Sequence, residues 1–479
     1  MTLPASGADL AAATSVAVWG GGREGRAALA ALRRRDPDRA LHWIVTAAEL
    51  EPCRQFAVDA VPGPVTVHAE GAADAMLGHF DLVVKSPGIS LYRPDIVAAR
   101  HAGTRFTSGS AIWFADHAQA RTICVTGTKG KSTTAALIAH LLRGGGQRVA
   151  LAGNIGRPLL DLELEAEPDW HVIELSSYQS ADLDIAPGVA LLTNLVEEHL
   201  DWHGSLERYR HDKLRLLARA AAVVAPDGIA VQTTGRLHRF DVAEGWQVAG
   251  AQIRFAGQDR LSIANLPLPG RHNAVNLCAA LAAIDAAGVD AAALLPQVAG
   301  FQPLPHRLQE LGLREGIVAV NDSIATTPAA MLAAWQCYRD RPLVLVVGGH
   351  DRGLDWSAAV QALARQPPLR VCAQGANGVR IAALLREAGV PVSVHDDLAA
   401  AVREGQAVLT QHLRRASLAH GGDAGGAAGN NHNAGVLLLS PGAPSFPQFS
   451  DYTARGRAFA AAAGYDPAGI AQMQGLGVA

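Results

Sequence analysis

A chain of 479 residues is longer than one ordinary hydrophobic core organises, so about two to four domains are expected. With 49% hydrophobic and 18% charged residues the composition is that of a folded globular protein, and 41 Lys+Arg against 44 Asp+Glu leave a formal charge of −3. That balance excludes a broad cationic surface for nucleic acid or anionic lipid. No apolar run reaches the roughly 20 residues of a membrane helix, and the first 22 residues carry no Lys or Arg to begin a secretory signal. The five scattered cysteines form no CxxC pair and read as free thiols. A cytoplasmic protein with no membrane insertion is the expectation.

In chain order, the apolar run "SVAVWG" predicts a strand, "GGREG" a turn and "RAALAALRRR" a helix, followed by a second strand at "LHWIVTA". "DLVVKSPG" predicts another strand, stopped by Pro87 and Gly88. A second unit opens at "RTICVTGTKGKSTTAALIAHLLRGGG" as buried strand, glycine turn and helix, and continues through the strands "WHVIELSS" and "VALLTNLVEEHLDW". A third alternation runs from "IVAVNDS" through "PLVLVVGGHDRG" and "LRVCAQG" to "VLLLSPG", five strands in all with helices between them. Alternation of this kind predicts parallel sheets covered by helices: an α/β protein of three units in series. The stretch 420–435, "HGGDAGGAAGNNHNAG", predicts a mobile surface loop.

The chemistry concentrates at "ICVTGTKGKSTT". A strand feeding a glycine turn and a helix aims backbone N–H groups and the helix dipole at one point, where anionic oxygens are stabilised. Val125 stands where the common phosphate loop has its first glycine, but Gly127, Thr128, Lys129, Gly130, Lys131, Ser132 and Thr133 keep the rest. Lys131 would reach the β/γ-phosphates of ATP, and Ser132 or Thr133 would hold Mg²⁺. A capped glycine turn without a nucleotide is the plainer alternative. Gly20, Gly22 and Gly25 form a GxGxxG after a strand, yet no acid ends the next strand to hold a ribose, which argues against nicotinamide. Another diphosphate at that helix start, or a purely structural turn, stays open. Asn154, Glu174, Glu198 and His199 end later strands at the edge where open α/β sheets bind ligands. Glu174 and His199 could complete a metal shell with Ser132; strand-end caps or surface charges are the alternative. Lys213, by pattern alone, reads as a solvated helix lysine.

The motifs "TGTKGKST", "GNIG", "ELSSYQ", "TNLVEEHLDWHGSLERYRHDK", "LPGRHNAVN" and "LPHR", in this order over nearly the whole chain, resemble those of the Mur ligases, ATP-dependent enzymes that add amino acids to the peptidoglycan precursor. "SPGIS", "NDSIATTP" and "LLLSPGAPSFPQFSDYTARGRAFA" resemble the glutamate-adding, MurD-like branch. The resemblance implies three domains: a Rossmann-like UDP-substrate domain over 1–108, a central P-loop ATPase domain over 109–304, and a C-terminal Rossmann-like glutamate domain over 305–479. It implies ATP and two Mg²⁺ ions as cofactors, and Lys131, His199 and Lys213 as catalytic. Glu174, His199, Ser132 and a CO₂-carbamylated Lys213 would hold the metals; Asn273, Arg307 and Asp322 would surround adenine and ribose. Gly22, Arg23, Glu24, Gly25, Ser86, Pro87, Gly88 and Asn154 would take UDP-N-acetylmuramoyl-L-alanine. Thr326, Arg352, Ser445, Phe446 and Tyr452 would take glutamate.

Within that branch, Ile324 stands where "NDSKATN" has a lysine, Arg352 stands for the usual lysine, and "GGREG" and "PGAPSFPQF" also depart. Losing a cation beside a dicarboxylate should cost on the order of 1–3 kcal/mol unless the ligand sits differently, and Arg's fork is not equivalent to an ammonium. The combination is similar to the variant that adds L-glutamate and leaves inversion to a separate epimerase. A D-glutamate ligase with a rearranged pocket is the alternative, and a nucleotide-gated UDP-sugar-binding protein without ligase activity is the alternative of another class. A monomer is the family default.

Overall fold

The computed structural model describes residues 7–198, 200–419 and 434–470. The chain divides into two compact units, one holding residues up to Leu266 together with His272–Phe301, the other Pro267–Arg271 and Gln302 onward.

The first unit contains two parallel sheets. Strands β1 (Val16–Trp19), β2 (Leu41–Val45), β3 (Val65–Ala69), β4 (Leu82–Lys85) and β5 (Arg105–Thr107) pair in the order β3-β2-β1-β4-β5. Strands β6 (Thr122–Thr126), β7 (Val149–Gly153), β8 (Trp170–Glu174), β9 (Val189–Leu192), β10 (Ala222–Pro226) and β11 (Arg236–Phe240) pair in the order β11-β10-β9-β6-β8-β7. All the pairings are parallel, and the central strands β1, β4, β6, β8 and β9 are buried along their whole length. Continuous apolar strands are what a sheet covered on both faces demands. A small antiparallel sheet of β12 (Trp246–Ala249), β13 (Gln252–Phe255) and β14 (Gln258–Ser262) follows.

The second unit is a six-stranded sheet in the order β15-β16-β20-β17-β18-β19. Its strands are β15 (Gln309–Arg314), β16 (Ile317–Asn321), β17 (Leu343–Val347), β18 (Arg370–Gln374), β19 (Val392–His395) and β20 (Gly435–Leu439). β15 is antiparallel to β16 and the other pairs are parallel. Buried side chains pack on both faces of this sheet.

The predicted α/β class and the named strands are present. The five-strand expectation for the second unit is corrected to six. Most of the 420–435 stretch lies outside the described residues; its last two, Ala434 and Gly435, are buried, and Gly435 opens β20 rather than ending a surface loop. All five cysteines are free. Among the described residues no helix is long and apolar enough to cross a membrane.

Candidate active site

The glycine turn after β6 is shaped as a phosphate cradle. Gly130 caps the helix Lys131–Gly144 at φ +82°, a left-handed conformation, and a Cβ there would lie 2.3 Å from Asn276 Oδ1. Only glycine fits between the loop and the helix Arg271–Ala286. The loop is tied down on every side: Thr128 Oγ1 lies 2.7 Å from Tyr209 OH, Lys129 N–H donates to Asn194 Oδ1 at 2.9 Å, and Thr193 Oγ1 donates to Lys129 O at 2.7 Å. Lys131 Nζ folds back onto Thr128 O at 3.0 Å, and Ser132 and Thr133 occupy the first helical turn. A glycine turn at a helix start, with a lysine folded over it, is a geometry that suits polyphosphate. Asn273 is buried one helical turn from Asn276, to which its side chain is bonded at 3.2 Å.

Lys213 is not a solvated helix lysine. Ser205 caps its helix, Leu206–Ala218, and sets the register so that Tyr209, Asp212, Lys213, Leu216 and Leu217 share the buried face. Lys213 is 1% exposed, and its Nζ donates to Gly127 O at 2.7 Å. Burial, reinforced by the Lys131 charge, pushes its amino group down to about 7. Glu174, at the end of β8, is also 1% exposed. Its Oε1 accepts from Asn154 Nδ2 at 2.8 Å, and its Oε2 has no hydrogen-bond partner among the described residues. A buried carboxylate oxygen without a donor is a ready cation ligand, because leaving it unpaired costs on the order of 1–3 kcal/mol. The expectation that Glu198 ends a strand is corrected: β9 stops at Leu192, and Glu198 lies in the connection beyond, paired with Lys129. His199 lies outside the described residues.

Asn154 also joins this cluster to a cavity of about 400 Å³ that runs toward the first sheet. Gly22, Arg23, Glu24, Ser86, Pro87, Gly88 and Asn154 all line it, together with Thr46, Glu49, Tyr178 and Gln179. Gly25 stands behind the wall: a Cβ there would lie 1.9 Å from Gly20 O, so glycine is what lets the helix Arg23–Arg35 pack on the turn. That helix presents its N-terminus to the cavity, and Arg23 reaches Gly156 O. Burial raises the Glu24 carboxyl to about 7 against the opposing pull of Arg23. No acid ends β2, as the sequence indicated, but Glu49 brings a carboxylate to the cavity from just beyond that strand. Its Oε2 accepts from Thr46 N at 3.2 Å and Oγ1 at 2.8 Å, a capping box written as Thr46-x-x-Glu49 after β2. A Cβ on Gly21 would lie 2.8 Å from its carboxyl carbon.

In the second unit, Thr326, Arg352 and the Ser445–Phe446 pair follow β16, β17 and β20, three neighbouring strands, on the edge where such sheets bind ligands. Arg352 and Phe446 are exposed, Ser445 is buried, and the Tyr452 ring meets His306 edge-on at 5.8 Å. Asp322 accepts from Leu308 N at 3.2 Å and Ser440 Oγ at 2.8 Å; burial raises it to about 7, with the neighbouring Arg307 charge acting in the opposite direction. Arg455, which the sequence did not flag, is fully buried and ties these loops together through Ser323 O at 2.7 Å, Ser323 Oγ at 3.0 Å and Ala443 O at 2.9 Å.

A P-loop α/β protein with a second polar cavity at a helix N-terminus beside the first sheet is the class these features define. Residues 125–284 match the family model described as Mur ligase middle domain. A UDP-N-acetylmuramoyl-L-alanine--L-glutamate ligase of Xanthomonas euvesicatoria pv. vesicatoria is 49% identical, over 97% of this chain and 98% of that protein. One of the same name from Xylella fastidiosa is 45% identical, over 97% and 98% respectively. The crystal structure of UDP-N-acetylmuramate-alanine ligase MurC from Thermotoga maritima shares the fold, with a TM-score of 0.58, 20% identity, and 93% of this chain and 98% of that one covered. The chain belongs to the Mur ligase family.

Proposed function

We propose that this protein joins L-glutamate to the terminal carboxylate of UDP-N-acetylmuramoyl-L-alanine, driven by cleavage of ATP to ADP and phosphate, in the synthesis of peptidoglycan precursor. The observation that carries the reading is the buried Lys213 bonded to the phosphate loop at Gly127, in one compact unit with Glu174 and the cavity beside the first sheet. The ligase relatives support it, and for L-glutamate their name adds to the departures at Ile324 and Arg352.

The substrate carboxylate is a poor electrophile. Transfer of the γ-phosphoryl group to it forms an acyl phosphate and ADP. The glutamate amine attacks that carbonyl, and the tetrahedral intermediate expels phosphate as the amine loses its proton. Lys131 and the dipole at the start of its helix stabilise charge on the transferring group. Arg23 and the helix start at Gly22 hold the diphosphate, Ser86–Gly88 line the uridine side, and Asn154 meets the muramoyl portion. Asn273, Arg307 and Asp322 serve adenine and ribose; Thr326, Arg352, Ser445, Phe446 and Tyr452 serve glutamate.

The residues present fit magnesium. Ser132, Glu174 with its unpartnered oxygen, His199 and a carbamylated Lys213 would hold two ions, which when bound neutralise the phosphate oxygens. Lys213 fits carbamylation for a physical reason: CO₂ is attacked by the neutral amine, and burial supplies that form near neutral pH. The N–C bond forms with release of a proton, and a cation becomes an anion. The protein works as a cytoplasmic monomer, and a separate epimerase inverts the product.

One assay tests the reading: purified protein, ATP, Mg²⁺ and UDP-N-acetylmuramoyl-L-alanine, with each glutamate enantiomer offered separately. ADP should form only with both substrates present and faster with L-glutamate. Equal or better kcat/KM with D-glutamate overturns the stereochemical assignment, and no ADP with either overturns the ligase in favour of a nucleotide-gated binding protein.

A further inference from the structure

Asp212 precedes Lys213, and the chemistry above does not use it. Its carboxylate is 1% exposed, and both its oxygens lie 2.8 Å from Tyr92 OH, which donates. Oδ2 also faces His203 Nδ1 at 2.8 Å. A carboxylate can only accept, so the His203 proton sits on Nδ1, and Nε2 accepts from Ser177 Oγ at 2.9 Å. Exposed His211 adds a weaker contact to Asp212 at 3.4 Å. This is the hydrogen-bond order of a hydrolytic Ser-His-Asp relay, but Ser177 and His203 are 2% and 0% exposed and neither lines the cavity. Their neighbours do the contacting. Tyr178 lines the cavity and stacks on Trp202 at 4.6 Å between ring centres. Trp202 Nε1 donates to Gly88 O at 3.1 Å, and its carbonyl accepts from Ser90 Oγ at 3.0 Å.

One buried carboxylate therefore reaches three places at once: Tyr92 in the connection after β4, Ser177 beside the cavity-lining Tyr178 by way of His203, and the helix carrying Lys213. We propose that Tyr92, Asp212, His203 and Ser177 form a positioning clasp that couples the UDP-substrate cavity to the Lys213 helix, so that tight binding of the UDP substrate requires the Asp212 carboxylate. The proposal rests on the function argued above. The four act through their neighbours and are positioning residues, not catalytic ones.

The test is calorimetric titration of UDP-N-acetylmuramoyl-L-alanine into wild type, Tyr92→Phe and Asp212→Asn without ATP or magnesium, with steady-state kinetics in parallel. Tyr92→Phe removes one donor and leaves the His203–Asp212 bond, so it should fold normally. Its Kd for the UDP substrate should rise about 3- to 10-fold, with kcat and the KM for ATP within about twofold. Asp212→Asn presents an N–H where an acceptor is needed and should weaken UDP-substrate binding about 30-fold or more. Combined, the two should cost less than the product of their separate effects, because they break one network. Unchanged UDP-substrate affinity in Tyr92→Phe overturns the clasp, as does an Asp212→Asn protein that melts earlier yet binds the UDP substrate normally. A wild type that neither binds this substrate nor forms ADP with it overturns the function and the clasp together, whereas with a working wild type the two variants alone decide for or against the clasp.

Discussion

Replacing Lys213 by alanine separates a structural lysine from a chemical one. The substitution leaves Gly127 O without the donor it has at 2.7 Å, inside a site where Lys213 is 1% exposed. An orphaned buried acceptor costs about 1–3 kcal/mol, and the lost packing of the lysine stem adds about 1–2 kcal/mol more. A lowered melting temperature is therefore expected whatever the lysine does. Catalysis distinguishes the cases. With its amino group pushed down to about 7 by burial, Lys213 offers its neutral form near neutral pH, where an ordinary lysine is almost wholly charged. The neutral fraction falls as pH drops through 7, so carbamylation and activity should fall with it and respond to added bicarbonate. Losing the resulting anion should lower kcat about 10²–10³-fold, the scale of removing one group that stabilises transition-state charge. The assay is ADP release with ATP, magnesium, the UDP substrate and L-glutamate, run on Lys213→Ala and Lys213→Arg. Small carboxylic acids such as formate should partly restore Lys213→Ala, since they replace the anion. They should not restore Lys213→Arg, whose guanidinium stays charged and fills the space. Wild-type kcat in Lys213→Ala, or full activity in Lys213→Arg, would refute the reasoning.

Gly130→Ala should raise the KM for ATP at least about tenfold and leave UDP-substrate affinity unchanged, because φ +82° costs about 1–2 kcal/mol with a Cβ and that Cβ meets Asn276 Oδ1; an unaltered ATP KM would count against the phosphate loop. Arg23→Ala should weaken UDP-substrate binding about 10- to 100-fold by calorimetry, the scale of a charge-assisted hydrogen bond, with ATP affinity retained; equal affinity would remove Arg23 from the diphosphate site. Asp322, raised by burial to about 7, binds its proton more tightly folded than unfolded. Stability from that proton is present in full below the unfolded carboxylate range near 4 and is lost as pH rises through 7. Asp322→Asn should therefore melt at a temperature that gains on wild type from pH 5 to pH 8, and a constant gap would contradict the raised value.

The sheets were legible where burial is complete. β1, β2, β4, β6, β8, β9, β16, β17, β18 and β20 are largely apolar runs that end in glycine, proline or polar residues, and burial on both faces writes that pattern. Most strands that escaped are at edges or short: β3, β7, β11, β15 and β19 are edge strands, β5 has three residues, and β12–β14 form a small antiparallel sheet; β10 is the exception, an interior buried run that was passed over. Most of the edge strands carry mixed polarity, and no period stands out. Among site residues, the phosphate loop was readable from local geometry, since strand, glycine and lysine are contiguous. Glu49 was not, because it reaches the cavity through a capping box four residues beyond β2. Asp212, His203 and Arg455 act through Tyr92, Ser177 and Ser323, partners on other elements that no local pattern encodes. Lys213 is instructive because the signal was present. Tyr209, Asp212, Lys213, Leu216 and Leu217 fall at i, i+3, i+4, i+7 and i+8, the buried stripe of an amphipathic helix, and a lysine on that stripe is not a solvated one.

That misplaced lysine also explains why the site favours the chemistry proposed for it. A buried cation in a low-dielectric setting is destabilised, and Lys213 answers by holding its proton weakly. A few residues away in space, the same burial leaves Glu174 with an oxygen that no described donor satisfies. Lys213 feels the Glu174 charge, yet desolvation outweighs it, so a simple ion pair does not resolve both groups. On the function proposed above, a carbamate on Lys213 would turn that cation into an anion, and a magnesium ion held by it and by Glu174 Oε2 would satisfy both groups. Replacing Glu174 by glutamine would supply an N–H to that position and remove the anion, relieving the strain by the wrong route. The buried amine of Lys213 and the unpartnered oxygen of Glu174 are therefore the two features that the proposed ligand set would satisfy together, and Glu174→Gln is expected to lose activity while keeping the fold.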